Sequence, residues 1–138
     1  MENYFNLLII TPEGIYDKEE VNSIKVLSDN GEVEILPNHV EYLGNVDISI
    51  LEINKNNETK HYAVGGGCIH FVGETNTCRI TLSSIFSVEQ VDVLKLKKEQ
   101  IELEKRLKQQ LSNEEHKIAE RNLRQAINAL SLKQNYSK

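Results

Sequence analysis

Three residues carry the side chains of metal ligands. Cys68 and His70 are two positions apart, so a strand would place both on one face, and Cys78 follows ten residues after Cys68. A zinc site usually shows two such pairs of ligands, and this sequence has one pair. We therefore interpret Cys68 and Cys78 as core thiols and His70 as a half-buried side chain, and we predict no metal site.

Two further features resemble parts of catalytic sites. His39 has the side chain of a general base, but no nearby pattern of Ser, Cys or carboxylate residues indicates a nucleophile. We interpret it as a corner residue that hydrogen-bonds its own loop or a partner. Gly65-Gly66-Gly67 is similar to a phosphate loop, but no Gly-Lys-Ser/Thr follows and the next segment is a strand. A glycine bulge or a close backbone approach explains it better, and we predict no cofactor.

The charge is distributed unevenly along the 138 residues. Residues 1–86 contain 13 acidic and 5 basic side chains, whereas residues 87–138 contain 8 acidic and 11 basic ones. This asymmetry predicts two modules with different partners. The basic half suits an acidic protein surface. Its one aromatic residue is Tyr136, which leaves little for stacking on bases, so we predict no nucleic-acid partner.

The N-terminal segment shows no targeting signal. Met1-Glu2-Asn3 is acidic, and the apolar run at residues 7–10 is too short for a signal peptide or a membrane span. We expect a cytosolic protein with reduced thiols and without direct membrane insertion. Any association with a membrane would then come through a partner.

The first 86 residues have the pattern of short strands separated by turns. Predicted strands cover residues 4–11, 21–28, 32–36, 46–54, 60–64, 68–72 and 77–82. The turn Asp29-Asn30-Gly31 leads into the strand at 32–36, which Pro37 ends by fixing φ and removing a donor. Asn38 and His39 are then left on an exposed corner, where contact residues are often presented. Strands of this length and spacing predict an all-β sandwich or barrel.

Past residue 86 the apolar spacing changes to a helical period. Capping boxes start at Ser87 and at Ser112, each with its Gln or Glu three residues later. They predict helices over residues 87–111 and 112–133, and the short connection requires an antiparallel two-helix hairpin. One apolar stripe of the second helix consists of Ala119, Leu123, Ala126, Ile127 and Leu130.

The first helix has more apolar surface than a hairpin needs. Besides the stripe that faces its neighbour, it carries an extra stripe of Val88, Val91, Leu94 and Ile101. The sandwich or another protein should pack there, and because a two-helix hairpin has little core, its docking should be only marginally stable. We therefore predict a β-sandwich domain at 1–86 and a helical hairpin domain at 87–138.

The order of these motifs resembles that of a known family, the epsilon (ε) subunits of bacterial F-type ATP synthases. Residues 31–39 resemble the family's G-E-x-G-[IL]-x-P-x-H motif, and Val64-Gly65-Gly66-Gly67 resembles its S-G-G-[FIL] segment. Residues 11–16 resemble its early strand–turn segment, and residues 126–130 its C-terminal helix. The resemblance covers nearly the full length. It implies a sandwich of about ten strands followed by two helices.

The resemblance also implies a function and partners. It implies a non-catalytic rotor subunit that binds the gamma (γ) subunit and the ring of c subunits, at the cytoplasmic face of the cell membrane. Its contact residues would be Gly31, Glu32, Asn38 and His39. The hairpin would restrain ATP hydrolysis by extending toward the alpha/beta (α/β) hexamer. Regulatory residues on it would be Lys105, Arg106, Lys108, Arg121 and Arg124.

The sequence departs from the family pattern in places. Glu34 replaces the inner glycine of the main motif, and Glu41 replaces a later proline. Some members bind ATP through [IL]-D-x-x-R-A; here Asp92 remains, but Lys95 replaces the arginine and cannot bind phosphate in a bidentate manner. Two alternatives therefore stay open beside the rotor subunit: an ATP sensor whose hairpin is clamped by nucleotide, and a free-standing sandwich that binds proteins.

Overall fold

A computed structural model describes residues 3–109 and 111–136. Ten strands precede two helices, which confirms the predicted fold class. The strands are β1 Phe5–Thr11, β2 Gly14–Val21, β3 Ser23–Ser28, β4 Gly31–Ile35, β5 Tyr42–Val46, β6 Ser49–Lys55, β7 Glu58–Val64, β8 Gly67–Val72, β9 Thr77–Leu82 and β10 Ile85–Ser87. The helices are α1 Val93–Leu107 and α2 Asn113–Tyr136, and 3-10 turns lie at Gly73–Thr75 and Val88–Gln90.

The strands form two five-stranded sheets that pack face to face. The first sheet has the order β2-β1-β9-β8-β5 and the second β10-β7-β6-β3-β4, with β1 and β9 parallel. Alternate side chains point into the shared core, as a sandwich requires. Phe5 and Phe71 meet edge to face at its centre, with ring centroids 5.7 Å apart. The remaining core side chains are mostly Leu, Ile and Val.

Turn chemistry explains two of the hairpins. Asn56 and Asn57 both have positive φ, as a two-residue hairpin turn between β6 and β7 demands, which confirms the predicted tip. At the β3–β4 hairpin the positive φ lies at Gly31, with a value of 112°. Its lack of a Cβ lets the chain re-enter the ladder opposite Ser28.

The predicted strand at 46–54 is confirmed over residues 49–54, but it is not continuous, because Val46 belongs to a strand of the other sheet. β5 ends at Val46 in the first sheet, and β6 begins at Ser49 in the second. Asp47 makes the break: its backbone N–H donates to Leu27 O at 2.8 Å, and its carboxylate accepts from Ile48 N at 3.0 Å. The sequence prediction also missed β2, most of β5 and β10.

The start of the first helix was also predicted incorrectly. Ser87 N–H does donate to the Gln90 side chain at 2.8 Å, but this pair closes a three-residue 3-10 turn. The α1 helix begins six residues after Ser87, where the Asp92 carboxylate accepts from Lys95 N at 3.1 Å. Val91 remains extended between the two segments. Its side chain is buried against α2 and the second sheet.

The second helix begins as predicted and ends later. Glu115 N donates to Ser112 Oγ at 3.2 Å, which confirms Ser112 as the N-cap, and the Glu115 carboxylate lies 3.1 Å from the same hydroxyl. The α1 helix ends at Leu107 instead of about Leu111, so residues 108–112 connect the helices. The α2 helix continues to Tyr136 and buries a stripe different in part from the predicted one: Ala119, Ala126, Ala129 and Leu132.

Candidate functional site

The predicted contact residues lie at the two ends of β4. Gly31 and Glu32 are at the β3–β4 hairpin, and Glu32 is exposed. Asn38 and His39 follow β4 at its other end. Five strand residues span about 16 Å, so the structure does not bring the two pairs together. They are two separate positions along one side of the sandwich.

The corner that bears His39 is held by packing. The imidazole lies edge to face against Phe71, with ring centroids 5.6 Å apart, and against Tyr42 at 6.2 Å. Its Nδ1 lies 2.6 Å from Val40 O, which fits the predicted bond to its own loop. His39 therefore fixes the shape of the corner, in addition to any contact that its exposed edge makes.

Asn76 is a residue of this site that the sequence reasoning missed. Its side-chain oxygen accepts from Asn38 N at 2.7 Å, and its Nδ2 donates to Tyr4 O at 2.9 Å. Asn76 is buried, with positive φ, at the end of a 3-10 turn. It ties the corner to β1 and β9. The sequence showed only a turn there, because bonds to residues 38 and 72 positions away leave no local signal.

Three exposed apolar side chains flank the corner. Leu36 is 51% exposed, Val40 76% and Leu43 73%. We call this group the corner patch. Apolar side chains grouped in this way on a rigid scaffold are typical of a protein contact surface.

The α2 helix lies on the outer face of the second sheet, and polar bonds hold it there. Asn128 Nδ2 donates to Ser49 O at 2.7 Å and reaches Val64 O at 3.4 Å. Gln125 donates to Gly65 O at 3.2 Å. These two amides satisfy backbone carbonyls where β7 ends and β6 begins, so they fix the helix in register with the sheet.

A small apolar cluster lies beneath these bonds. Ala63, Val91, Ala129 and Leu132 are buried in it, and Ile50, Val88 and Leu96 pack around its rim. We call this group the docking cluster. Half of the predicted extra stripe thus contacts the sandwich and α2, through Val88 and Val91. The other half, Leu94 and Ile101, is 76% and 53% exposed.

The five predicted regulatory residues have different environments. Arg124 contacts the sandwich, with its guanidinium 3.3 Å from Asp47 Oδ1. Arg106 lies 3.6 Å from Glu115 across the hairpin connection. Lys105, Lys108 and Arg121 are exposed. The structure therefore spreads these charges over the hairpin instead of gathering them at one site.

A cleft of about 680 Å³ lies between the hairpin and the second sheet. Glu99, Glu102, Lys105 and Arg106 line its hairpin side, so both signs of charge face it. The nucleotide-site candidates Asp92 and Lys95 do not line this cleft. Asp92 instead caps α1, as described above.

The two cysteines lie on opposite faces of one sheet, and the glycine run has a structural role. Cys78 faces the core, where burial raises the pKa of its thiol to about 12, so the predicted core thiol is confirmed there. The same prediction is wrong for Cys68, which is exposed on the outer face of the sheet. The three candidate ligands therefore do not share a site. A Cβ on Gly67 would collide with Thr81 O, so this glycine permits the close backbone approach that we predicted.

Two tyrosines join the sandwich to the segment that leads into the hairpin. Tyr16 Oη donates to the Gln90 side chain at 3.2 Å, and its ring meets Tyr62 edge to face. Burial raises the pKa of Tyr16, and raises that of Tyr62 to about 12. Both hydroxyls therefore remain protonated near neutral pH, and that of Tyr16 stays a donor to Gln90.

The fold and sequence match known proteins over most of the chain. The family model for the beta-sandwich domain of the ATP synthase delta/epsilon chain matches residues 4–87. An ATP synthase epsilon chain of Pediococcus pentosaceus is 32% identical over 128 residues, covering 90% of this chain and 91% of that relative. One of Ruminococcus albus is 27% identical, covering 93% of this chain and 95% of the relative.

Solved structures share the architecture. A chain in the cryo-EM structure of the Euglena gracilis mitochondrial ATP synthase superposes with a TM-score of 0.78 at 20% identity, covering 95% of this chain and 82% of that one. Within residues 3–109 and 111–136, no helix is long and apolar enough to cross a bilayer. The family match over more than half of the sequence and the 32% identity to a relative of similar length lead to one conclusion. This chain belongs to the ATP synthase epsilon chain family.

Proposed function

We propose that this chain is a non-catalytic rotor subunit of a bacterial F-type ATP synthase. Its sandwich, residues 1–86, binds the γ subunit and rests on the c-subunit ring, and so couples ion flow to ATP synthesis. Its hairpin, residues 87–138, restrains ATP hydrolysis by leaving the sandwich for the α/β hexamer. The chain works as a peripheral protein at the cytoplasmic face of the cell membrane.

The way in which the hairpin docks supports this proposal most directly. Two of the four buried residues of the docking cluster on which α2 rests are alanines, Ala63 and Ala129. The remaining attachment consists of the buried Leu132 and Val91 side chains and a few side-chain bonds, each bond contributing about 1 kcal/mol. Such a surface holds the hairpin but releases it at modest cost. Leu94 and Ile101 stay exposed in the docked form and are available to a second partner.

The corner patch supports the rotor assignment. Val40 and Leu43 are among the most exposed large apolar side chains of the described residues, and they lie beside the corner bearing Asn38 and His39. Glu32 is exposed at the other end of β4. The sandwich thus offers an apolar contact and a separate charged contact on a rigid frame, which suits a surface that transmits torque between two partners.

Capture of the rotor tests this assignment. We expect tagged chain to retain the detergent-extracted rotor of γ and c subunits. Val40→Asp with Leu43→Asp should weaken capture about tenfold or more, because two carboxylates would be desolvated in the contact. Ile127→Asp is the matched control, since Ile127 is an exposed apolar residue on the hairpin. Undiminished capture by the double variant would show that the patch is not the contact, and no capture by the parent chain would favour the free-standing binding module.

Calorimetry with ATP separates the rotor subunit from a nucleotide sensor. We expect no saturable binding in the low micromolar range, which would require about −8 kcal/mol. Asp92 is engaged at the α1 N-terminus, and Lys95 is exposed away from the cleft. In the cleft, repulsion of phosphates by Glu99 and Glu102 offsets their attraction to Lys105 and Arg106. Saturation by micromolar ATP would establish the sensor instead.

A further inference from the structure

The connection between β8 and β9 lies against the corner that bears Asn38 and His39. We call residues 73–76, the 3-10 turn and the Asn76 that ends it, the β8–β9 turn. The Asn76 carbonyl accepts from Asn6 N on β1 at 3.0 Å, and its side-chain Nδ2 donates to Tyr4 O at 2.9 Å. The side-chain oxygen accepts from Asn38 N at 2.7 Å. The corner is therefore fastened to the first sheet through a buried side chain.

Gly73 provides a second contact between this turn and the corner. A Cβ built on Gly73 would lie 3.3 Å from His39 O and 3.5 Å from Glu41 N. The two backbones therefore approach closely, and even a methyl group would push the corner away by a few tenths of an ångström. Gly73 is not among the glycines with positive φ, so space, and not backbone conformation, explains the glycine here.

The corner depends on outside contacts for its shape. Residues 39–41 belong to no strand or helix, and they contain no proline that would fix φ. Asn38 has a φ of 60°, a conformation that asparagine tolerates but that L residues adopt infrequently. The bond from Asn38 N to Asn76 helps to hold this conformation. Val40, which is 76% exposed, is thus presented by a backbone that the β8–β9 turn supports.

We propose that the β8–β9 turn, through Gly73 and Asn76, is a positioning element for rotor binding. This inference rests on the proposed function in one respect, that the corner patch contacts the rotor. Asn76 is 8% exposed and Gly73 faces the corner backbone, so both act through the corner and not by contact with the partner. A corner that is ordered before binding loses less conformational freedom in the complex, so its affinity is higher.

Two variants of Asn76 separate positioning from stability. Asn76→Gly tolerates the positive φ and removes the side-chain bonds, whereas Asn76→Asp keeps an acceptor for Asn38 N but cannot donate to Tyr4 O. Both should lower the melting temperature, the aspartate through a buried charge. We expect capture of the rotor to weaken about tenfold in Asn76→Gly and less than about threefold in Asn76→Asp. Capture that weakens in step with the melting temperature in both variants would overturn the proposal.

Gly73→Ala tests the second contact and keeps the hydrogen bonds, so it remains informative should a variant of Asn76 fail to fold. The φ of Gly73 is compatible with alanine, and the added methyl group would displace the corner. Capture should weaken about threefold. Glu74→Ala, at an exposed position of the same turn, is the matched control and should leave capture unchanged. Equal capture by these two variants would contradict a positioning role for Gly73.

Hydrogen exchange on the isolated chain tests the corner without the rotor. The Asn38 amide is bonded to Asn76, so we expect slow exchange in the parent chain. Exchange should accelerate about tenfold or more in Asn76→Gly and stay slow in Asn76→Asp. Unchanged exchange in the glycine variant would overturn the proposal. Failure of the parent chain to capture the rotor would instead refute the rotor assignment, and the exchange rates would still show whether the turn holds the corner.

Discussion

Truncation after Ser87 should raise ATP hydrolysis by the assembled motor on the order of fivefold, the scale of a modest coupling energy between sites. The truncated chain retains β10, which pairs with β7 through Ser87, so all ten strands remain. The sandwich core contains no residue of α1 or α2. We therefore expect a folded sandwich that still binds γ and still supports ATP synthesis. ATPase and synthesis assays on reconstituted complexes measure both rates.

Charge reversal provides a second route to the same result. Lys105 and Lys108 are exposed, and Arg106 pairs with an exposed side chain, that of Glu115. Replacing all three with Glu should raise hydrolysis too, because the contact with an acidic surface would become repulsive. Lys18→Glu, an exposed reversal on β2, is the control and should have no effect. Hydrolysis unchanged by both the truncation and the triple reversal would refute the restraining role while leaving the rotor assignment standing.

Local sequence rules predicted the elements whose cause is local. The Asn56-Asn57 turn, the Ser112 cap and the change of period near residue 87 each depend on neighbouring residues, and each is present. The break between β5 and β6 depends on Asp47, whose backbone bond goes to Leu27, in a strand twenty residues earlier. The alternation of apolar and polar residues through 46–54 suggested one continuous strand, because no local sequence feature marks the bond between Asp47 and Leu27.

The late start of α1 has a similar explanation. The bond between Ser87 and Gln90 forms as the capping box predicts, but it caps a three-residue 3-10 turn instead of α1. Burial of Val91 with Ala63 and Leu132 favours an extended residue at a position where the helix would otherwise continue. Tertiary packing therefore overrides the local signal, and Asp92 takes the capping role.

The candidate site was predictable only in part. The corner at Asn38 and His39 followed from Pro37 and the turn residues, but the bond that holds it comes from Asn76. Likewise, the amides that dock α2 reach carbonyls 60 to 79 residues away, at Gly65, Val64 and Ser49. Sequence spacing identifies an amphipathic helix, but it does not show which carbonyls its amides will meet.

Ala129→Glu should produce the opposite effect to truncation and lower ATP hydrolysis. Ala129 and Ala63 are each 2% exposed in the docking cluster, so a glutamate there would bury an unpaired charge at a cost of several kcal/mol. That cost exceeds what the few docking bonds contribute, so the hairpin would leave the sandwich.

The α1 leucines and the basic side chains would remain intact on the freed hairpin, and its population at the α/β hexamer would rise. Ile127→Glu, two positions earlier on an exposed part of α2, is the control and should leave docking unchanged. Energy transfer between a dye on the sandwich and a dye on α2 reports release of the hairpin. ATPase assays report how strongly hydrolysis is restrained. Release accompanied by faster hydrolysis would mean that the docked hairpin, and not the extended one, restrains the motor. Truncation removes both the docked and the extended hairpin, whereas Ala129→Glu removes only the docked form. Comparing the two variants therefore shows which position of the hairpin restrains hydrolysis.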